Sequence, residues 1–171
     1  MSSEARQIAV ALTHSGAGIL SVCGSGLILS SLLVQSRRNQ KNFRPFQRLL
    51  LGLAIYDLMH SLAVSFTTLP VRADADVWGA HGTIATCTAQ GFFQQQAQAG
   101  FIYNSALAVY FLAVVRYGLK DNQIVRYEKY FHITTFVGFE ALAITGLFFE
   151  WYNPMWFPEL GCWFGKLLLQ Q

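Results

Sequence analysis

Four long apolar stretches, separated by short polar connectors, are the feature that most restricts how this chain can fold. They cover residues 8–35, 46–69, 88–115 and 131–151. Each is close to the roughly 20 apolar residues that an α-helix needs to cross a bilayer. No series of alternating residues is long enough to predict the strands of a membrane β-barrel. We therefore expect an all-α membrane protein that forms a single transmembrane domain of four helices.

The composition also favours a lipid environment. Of the 171 residues, 53% are hydrophobic and 12% are charged, whereas soluble domains carry about 25% charged residues. The 4 His are scattered, and there is no nucleophile–His–acid set and no phosphate-binding glycine loop, so we expect no metal, no cofactor and no enzymatic activity. The basic residues form no stripe of the kind that binds nucleic acid, and we expect no such partner.

The charges in the connectors predict the orientation in the bilayer. The first connector carries no acid among its cations, which are Arg37, Arg38, Lys41, Arg44 and Arg48. The third connector is also mainly basic, with Arg116, Lys120, Arg126 and Lys129 against Asp121 and Glu128. The second connector has one arginine and two aspartates. Because basic loops stay in the cytoplasm, we expect a multi-pass plasma-membrane protein with its N-terminus outside the cell.

The third apolar stretch changes in polarity along its length, from glutamines at one end to aliphatic residues and an arginine at the other. Cys87 lies at the predicted outer end and Arg116 at the inner end. Between them, Gln90, Gln94 and Gln98 recur every four residues and therefore share one helix face. One interpretation is that these amides join neighbouring helices. The other is that Gln94, Gln98 and Asn104 line a ligand pocket open to the outside. The sequence leaves both open.

Asp57 lies near the middle of the second stretch, in "LGLAIYDLMHSLA". An acid at that depth costs several kcal/mol and is a candidate functional residue. Its expected partners are serines and asparagines of the first and third stretches, a sodium ion, or His60. The alternative is a protonated, hydrogen-bonded structural acid. Glu140 lies midway along the fourth stretch, and the sequence assigns it no role.

Three cysteines fall at different depths. Cys23 lies within the first stretch, where we expect a buried and inert thiol. Cys87 and Cys162 both fall on the predicted outer side, where disulfides persist. A bond between them would tether the segment after the fourth stretch to the top of the third; the alternative is two free thiols.

Several of these features together resemble seven-transmembrane G-protein-coupled receptors. "RLLLGLAIYDLMHSL" resembles their second helix, with Leu53 and Asp57 at the positions of its sodium-site motif. Cys87 resembles the third-helix cysteine, and Cys162 in "GCW" resembles its partner in the second extracellular loop. "VVRYGL", which contains Arg116 and Tyr117, resembles the Arg-Tyr pair at the inner end of the third helix. "QGFF", "YN" and "NP" are similar to cyclic-AMP-receptor-like and to protist or algal rhodopsin-like receptors.

The resemblance implies a receptor that responds to an extracellular ligand and acts on a heterotrimeric G protein. Arg116 and Tyr117 would face the G protein, and Asp57 would act as an ion-dependent switch. Only "WFGKLLLQQ" follows Cys162, so the chain is expected to be the N-terminal half of a receptor, ending before helices five to seven. Two alternatives remain. One is a complete four-helix scaffold or accessory subunit, and the other is a small proton or ion transporter that uses Asp57 and Glu140.

Overall fold

The computed structural model describes residues 3–38, 43–155 and 161–164. The expectations for Lys41 and for the chain beyond Phe164 fall outside these described residues. The elements occur in the order α1 (Ser3–Arg38), α2 (Pro45–Ser65), α3 (Ile84–Ala97), α4 (Ala99–Tyr117), α5 (Asp121–Phe148), β1 (Tyr152–Met155) and β2 (Gly161–Phe164).

Four helical segments are long and apolar enough to cross a membrane. They are Glu4–Arg37, Pro45–Ser65, Ile84–Tyr117 and Asp121–Phe148, and the third of them contains both α3 and α4. The expectation of four helices that are long and apolar enough for a multi-pass membrane protein is confirmed. The boundaries differ most in the fourth helix, which begins at Asp121 and not at residue 131. The apolar stretch marked only the part suited to lipid, and the helix continues beyond it through charged residues.

The α-helical hydrogen bonding of the third span is interrupted at one residue, Gln98, between α3 and α4. The backbone N–H of Gln98 bonds to the carbonyls of Gln95 and Gln96 and not to the carbonyl four residues back. Such tightening of the ladder marks a local departure from α-helical geometry. The end of α4 is set by Gly118, whose φ of 62° is easily adopted only by glycine.

Helix α2 is the centre of the bundle, since α1 packs along it and both α3 and α4 contact it. It packs tightly against α4 at Gly52, where any Cβ atom would overlap the ring of Tyr103. Tyr103 is buried, stacks on Tyr56 with the ring centroids 5.5 Å apart, and meets Phe131 of α5 edge to face. One tyrosine therefore joins three helices.

A short antiparallel hairpin, β1 with β2, corrects the all-α expectation. It pairs Tyr152 with Phe164 and Pro154 with Cys162. Each strand has only 4 residues, too few to produce a visible alternation in the sequence. Tyr152 anchors the hairpin: an added Cβ at Gly91 of α3 would come 2.5 Å from its ring, and one at Gly146 of α5 would come 2.7 Å from its hydroxyl.

The disulfide Cys87–Cys162 joins the beginning of α3 to the hairpin, with the two Cα atoms 5.2 Å apart. Both cysteines are buried, in a cluster with Ala11, Val71 and Val77. This prediction is confirmed. We call this side of the bundle the disulfide end, and the opposite side, which carries Arg48, Arg116 and Lys120, the basic end.

The expectation that Cys23 is buried is wrong. Its thiol is free and exposed, because α1 packs mainly against α2 and leaves that side of α1 uncovered.

Candidate functional site

The carboxylate of Asp57 faces α1, where it meets a group of serines. Ser25 donates a hydrogen bond to Oδ2 of Asp57, and the hydroxyl of Ser21 lies 3.5 Å from the same oxygen. Ser61, one helical turn from Asp57 on α2, donates to Ser21 at 2.7 Å. Ser25 is only 3% exposed. The structure thus brings Asp57 against serines of the first span, which were among its expected partners, and its role as an ion switch stays a prediction.

A cavity of about 370 Å³ lies beside this cluster, between α1, α2 and the junction of α3 with α4. Its polar lining comes from Ser25, Asp57, His60 and Asn104. The remaining lining is mainly apolar and consists of Ile28, Leu50, Leu53, Ala54, Ala97, Gly100 and Phe101. An apolar hollow with a few convergent polar groups is typical of a small-ligand site. The lining includes Asp57 and Asn104 from the sequence-based candidates but not Gln94 or Gln98.

The interruption at Gln98 lies beside this hollow. It is where α3 gives way to α4, and the two short residues that flank it in the lining, Ala97 and Gly100, leave room beside α2. The nearest atom that a Cβ on Gly100 would meet is the Cβ of Tyr56, at 3.6 Å. Ala97 at the end of α3 and Gly100 on α4 thus leave space next to Asp57.

The side chain of Gln90, on α3, forms hydrogen bonds with two other parts of the fold. Gln90 is buried, and its side-chain amide donates to the carbonyls of Ala63 and Thr67 at 3.0 and 2.9 Å. Its oxygen accepts the backbone N–H of Cys162 at 3.0 Å. Gln90 therefore links α2, α3 and the hairpin, as the first of the two interpretations expected.

Gln95 was not singled out by the four-residue spacing, yet its side-chain oxygen accepts the indole N–H of Trp163 at 3.0 Å. Gln94 and Gln98 are half-buried, and their part in ligand binding stays a prediction. The four-residue spacing of the glutamines predicted a helix, but it did not predict which side of α3 the hairpin covers.

At the basic end, the structure contains a polar chain that the sequence analysis missed. Arg48 forms two hydrogen bonds of 2.6 Å with the buried carboxylate of Glu128. His132 lies 3.4 Å from the same carboxylate and 2.7 Å from the hydroxyl of Tyr103. The available signal was the spacing of Glu128 and His132, four residues apart on one helix face. It was overlooked because Glu128 was assigned to a connector.

Arg116 and Tyr117 are exposed at the end of α4, next to the left-handed turn at Gly118. None of the described residues buries either side chain.

Glu140 is half-buried on α5, and its charge lies within electrostatic range of the Tyr56 hydroxyl. It is separate from the Asp57 cavity, whose lining comes from α1 to α4.

Two groups outside the spans have shifted acidities. Arg72 donates to both carboxylate oxygens of Asp74 in the connector after α2, and this hydrogen bonding lowers the pKa of Asp74. Burial raises the pKa of Tyr152 to about 12, and its hydroxyl donates to the carbonyl of Ala143 at 2.9 Å. The hydrogen bond of Tyr152 holds the hairpin against α5, whereas the Arg72–Asp74 pair is exposed and adds little stability.

The described residues contain no group of three His, Cys, Asp or Glu side chains placed to hold a metal ion. The oxygens around Asp57 are ligands of the kind that hard cations prefer. Comparisons of this chain with protein-family models, with curated proteins and with solved structures found no match.

Proposed function

We propose that this chain has a G-protein-coupled-receptor-like function and transduces an extracellular signal to a cytoplasmic G protein. The observation that carries the proposal is the disulfide between the beginning of α3 and the hairpin that follows α5. It closes one end of a bundle of membrane-spanning helices with a rigid cover. An extracellular entrance shaped by such a cover is what the resemblance to these receptors implies.

The proposed orientation places the disulfide end outside the plasma membrane and the basic end in the cytosol. Two arguments support it. Disulfides persist in oxidising compartments, and connectors rich in arginine and lysine stay in the cytoplasm. The N-terminus would then lie outside the cell, and Arg116 and Tyr117 would face a Gα subunit.

The mechanism that we propose is a shift between two arrangements of the helices. A ligand that binds one arrangement more tightly raises its population. The cavity beside Asp57 touches α1, α2, α3 and α4, so a change in its occupancy acts on all of them. A sodium ion would be held by the oxygens of Asp57, Ser21 and Ser25 and would stabilise one arrangement.

The proposal is tested by expressing the product of the native gene in cells and measuring nucleotide exchange on coexpressed Gα subunits. Because the ligand is unidentified, the readout is the ligand-independent exchange above that of cells without the protein. We expect Arg116→Ala to reduce it severalfold. Arg37→Ala, which removes an exposed cation from the first connector, serves as the matched control and should leave it unchanged. No exchange with any Gα class would overturn the proposal.

A second candidate, an ion or proton transporter, is favoured by the placement of Asp57 and its serines on the wall of a cavity. It predicts flux of protons or sodium into liposomes that contain the purified protein. Asp57→Asn would abolish that flux, whereas Glu150→Gln, a change at an exposed acid, would not. A scaffold or accessory subunit would show neither flux nor nucleotide exchange.

A further inference from the structure

The first turns of α5 extend beyond its apolar part and carry exposed cations and aromatic rings. Arg126, Tyr127, Lys129 and Tyr130 are all exposed, and the ammonium of Lys129 lies 4.9 Å from the centre of the Tyr130 ring. We call these residues the basic face. Lys120 and Arg116 lie close by in sequence, and both are exposed as well.

The acids in this part of the chain make their contacts away from the basic face, because both have partners on other helices. Glu128 is buried and holds Arg48 of α2. Asp121 accepts a hydrogen bond of 3.0 Å from the hydroxyl of Tyr110 on α4. The predicted connector contains four cations and two acids. In the structure the cations are exposed, whereas both acids contact residues of other helices.

The direction of the basic face is given by the residues that continue it along α5. Ile133 and Val137 follow Lys129 and Tyr130 at spacings of four and seven residues, and therefore lie on the same side of the helix. Ile133 is 59% exposed and Val137 is 56% exposed. In a membrane-spanning helix such an exposed aliphatic stripe faces lipid chains. The cations thus continue the lipid-facing stripe towards the basic end. They lie on the flank of the bundle and not on the surface that closes its basic end.

We propose that the basic face binds anionic lipid headgroups of the leaflet in which the basic end lies. Tyrosines favour the level of the headgroups, and long cationic side chains extend to the phosphates while their methylenes stay against apolar surface. Clusters of arginine and lysine at the cytoplasmic end of a span attract anionic lipids. The inference needs only that the chain crosses a membrane and does not rest on the receptor function.

A cytosolic protein partner fits the geometry less well. A partner that docks beneath the bundle would meet groups at the end of the spans, such as Arg116 and Tyr117. The basic face lies on the flank of α5, one to two turns from exposed aliphatic residues that need lipid around them.

The test uses the full protein in nanodiscs of phosphatidylcholine, with phosphatidylinositol 4,5-bisphosphate bearing a photo-crosslinker as the probe and crosslinkable phosphatidylcholine as its neutral counterpart. The anionic probe should crosslink preferentially to the segment 126–137. The variant Arg126→Gln/Lys129→Gln should lower its apparent affinity by about fivefold per cation removed. Raising the salt concentration should weaken the wild type more than the variant.

Two further variants make the result decisive. Arg37→Gln/Arg44→Gln removes the same charge from exposed positions in the first connector and should change the affinity much less. Arg126→Lys/Lys129→Arg keeps the charge and should retain the affinity, which guards against a variant that merely folds badly. Equal crosslinking of both probes, or equal losses in the two glutamine pairs, would overturn the proposal. So would unchanged lipid binding together with reduced Gα recruitment, because the face would then dock a protein.

Discussion

The guanidinium of Arg48 on α2 and the carboxylate of Glu128 on α5 form a bidentate ion pair, with both N–O distances at 2.6 Å. The carboxylate side of the pair is buried, with Glu128 7% exposed as a residue. The pair joins two helices that are far apart in sequence and otherwise make little contact. It also continues through His132 to Tyr103, so the basic end is held by one connected group of polar side chains.

Replacing Glu128 should therefore destabilise the basic end. Glu128→Gln leaves Arg48 without its charged partner, and we expect a loss of about 1–3 kcal/mol in the free energy of unfolding, below the value for a fully buried pair because Arg48 still reaches water. The measurement is denaturant unfolding of the protein in micelles. Glu150→Gln, at an exposed acid, should change stability by less than about 0.5 kcal/mol. Equal effects of the two substitutions would contradict the importance of the pair.

Gly91 should be intolerant of any side chain, because Tyr152 occupies the space where a Cβ would lie. Gly91→Ala forces the hairpin away from α3, and we expect a loss of about 1–3 kcal/mol. The matched control is Gly138→Ala on α5, where no atom lies within 4 Å of the added Cβ. There alanine should stabilise the helix by up to about 1 kcal/mol. Thermal unfolding followed by circular dichroism should show a lower unfolding temperature for Gly91→Ala and a higher one for Gly138→Ala. A stabilised Gly91→Ala protein would show that the hairpin does not pack as described.

Stability at the disulfide end should fall at high pH because of Tyr152. Its pKa is raised by burial from 10.0 to about 12, so the neutral phenol is favoured by folding. The contribution of this group is complete below pH 10 and is lost as the pH rises towards 12. Tyrosinate absorbance of the folded protein should include a late step to which Tyr152 contributes. Because Tyr103 is buried as well, Tyr152→Phe should reduce the amplitude of that step by one tyrosine and flatten the stability profile in this window; an unchanged amplitude would contradict the assignment to Tyr152.

Sodium should stabilise the protein through Asp57 if the proposed ion site is correct. A ligand that binds only the folded state raises the unfolding midpoint as its concentration increases. We expect sodium chloride to raise the midpoint relative to the same concentration of N-methylglucamine chloride. Asp57→Asn should abolish the difference and Ser25→Ala should reduce it, because Ser25 donates to the same carboxylate. A difference that survives in Asp57→Asn would place the sodium effect elsewhere.

The sequence was sufficient to predict the four spans and the disulfide because both depend on strong, simple requirements. Lipid demands a long run of apolar residues, and two cysteines on the same side of a membrane have few other partners. Gln90 and Gln95 show where this reasoning ends. Their roles depend on where the hairpin lies, and the hairpin is held by tertiary contacts such as the insertion of Tyr152 between Gly91 and Gly146. No local pattern encodes such contacts.

The beginning of α5 was mispredicted for a related reason. Residues 121–130 read as a polar connector because helices were recognised by their apolar content. In the structure those residues begin α5, where Glu128 pairs with Arg48 and Asp121 accepts a hydrogen bond from Tyr110. Both partners lie on other helices, so these contacts could not be read from the local sequence. The same assembly placed Asp57 and Asn104 on one cavity while leaving Gln94 and Gln98 outside its lining.

The interruption at Gln98 divides the third span between two separate sets of attachments. Above it, α3 is fastened to the hairpin through Cys87 and Gln90; below it, α4 is fastened to α2 and α5 through Tyr103. The hollow next to Asp57 lies where the two sets meet, with Ala97 lining it from one side of the interruption and Gly100 from the other. A ligand in that hollow would therefore contact the segment tied to the disulfide and the segment tied to Tyr103 at the same time.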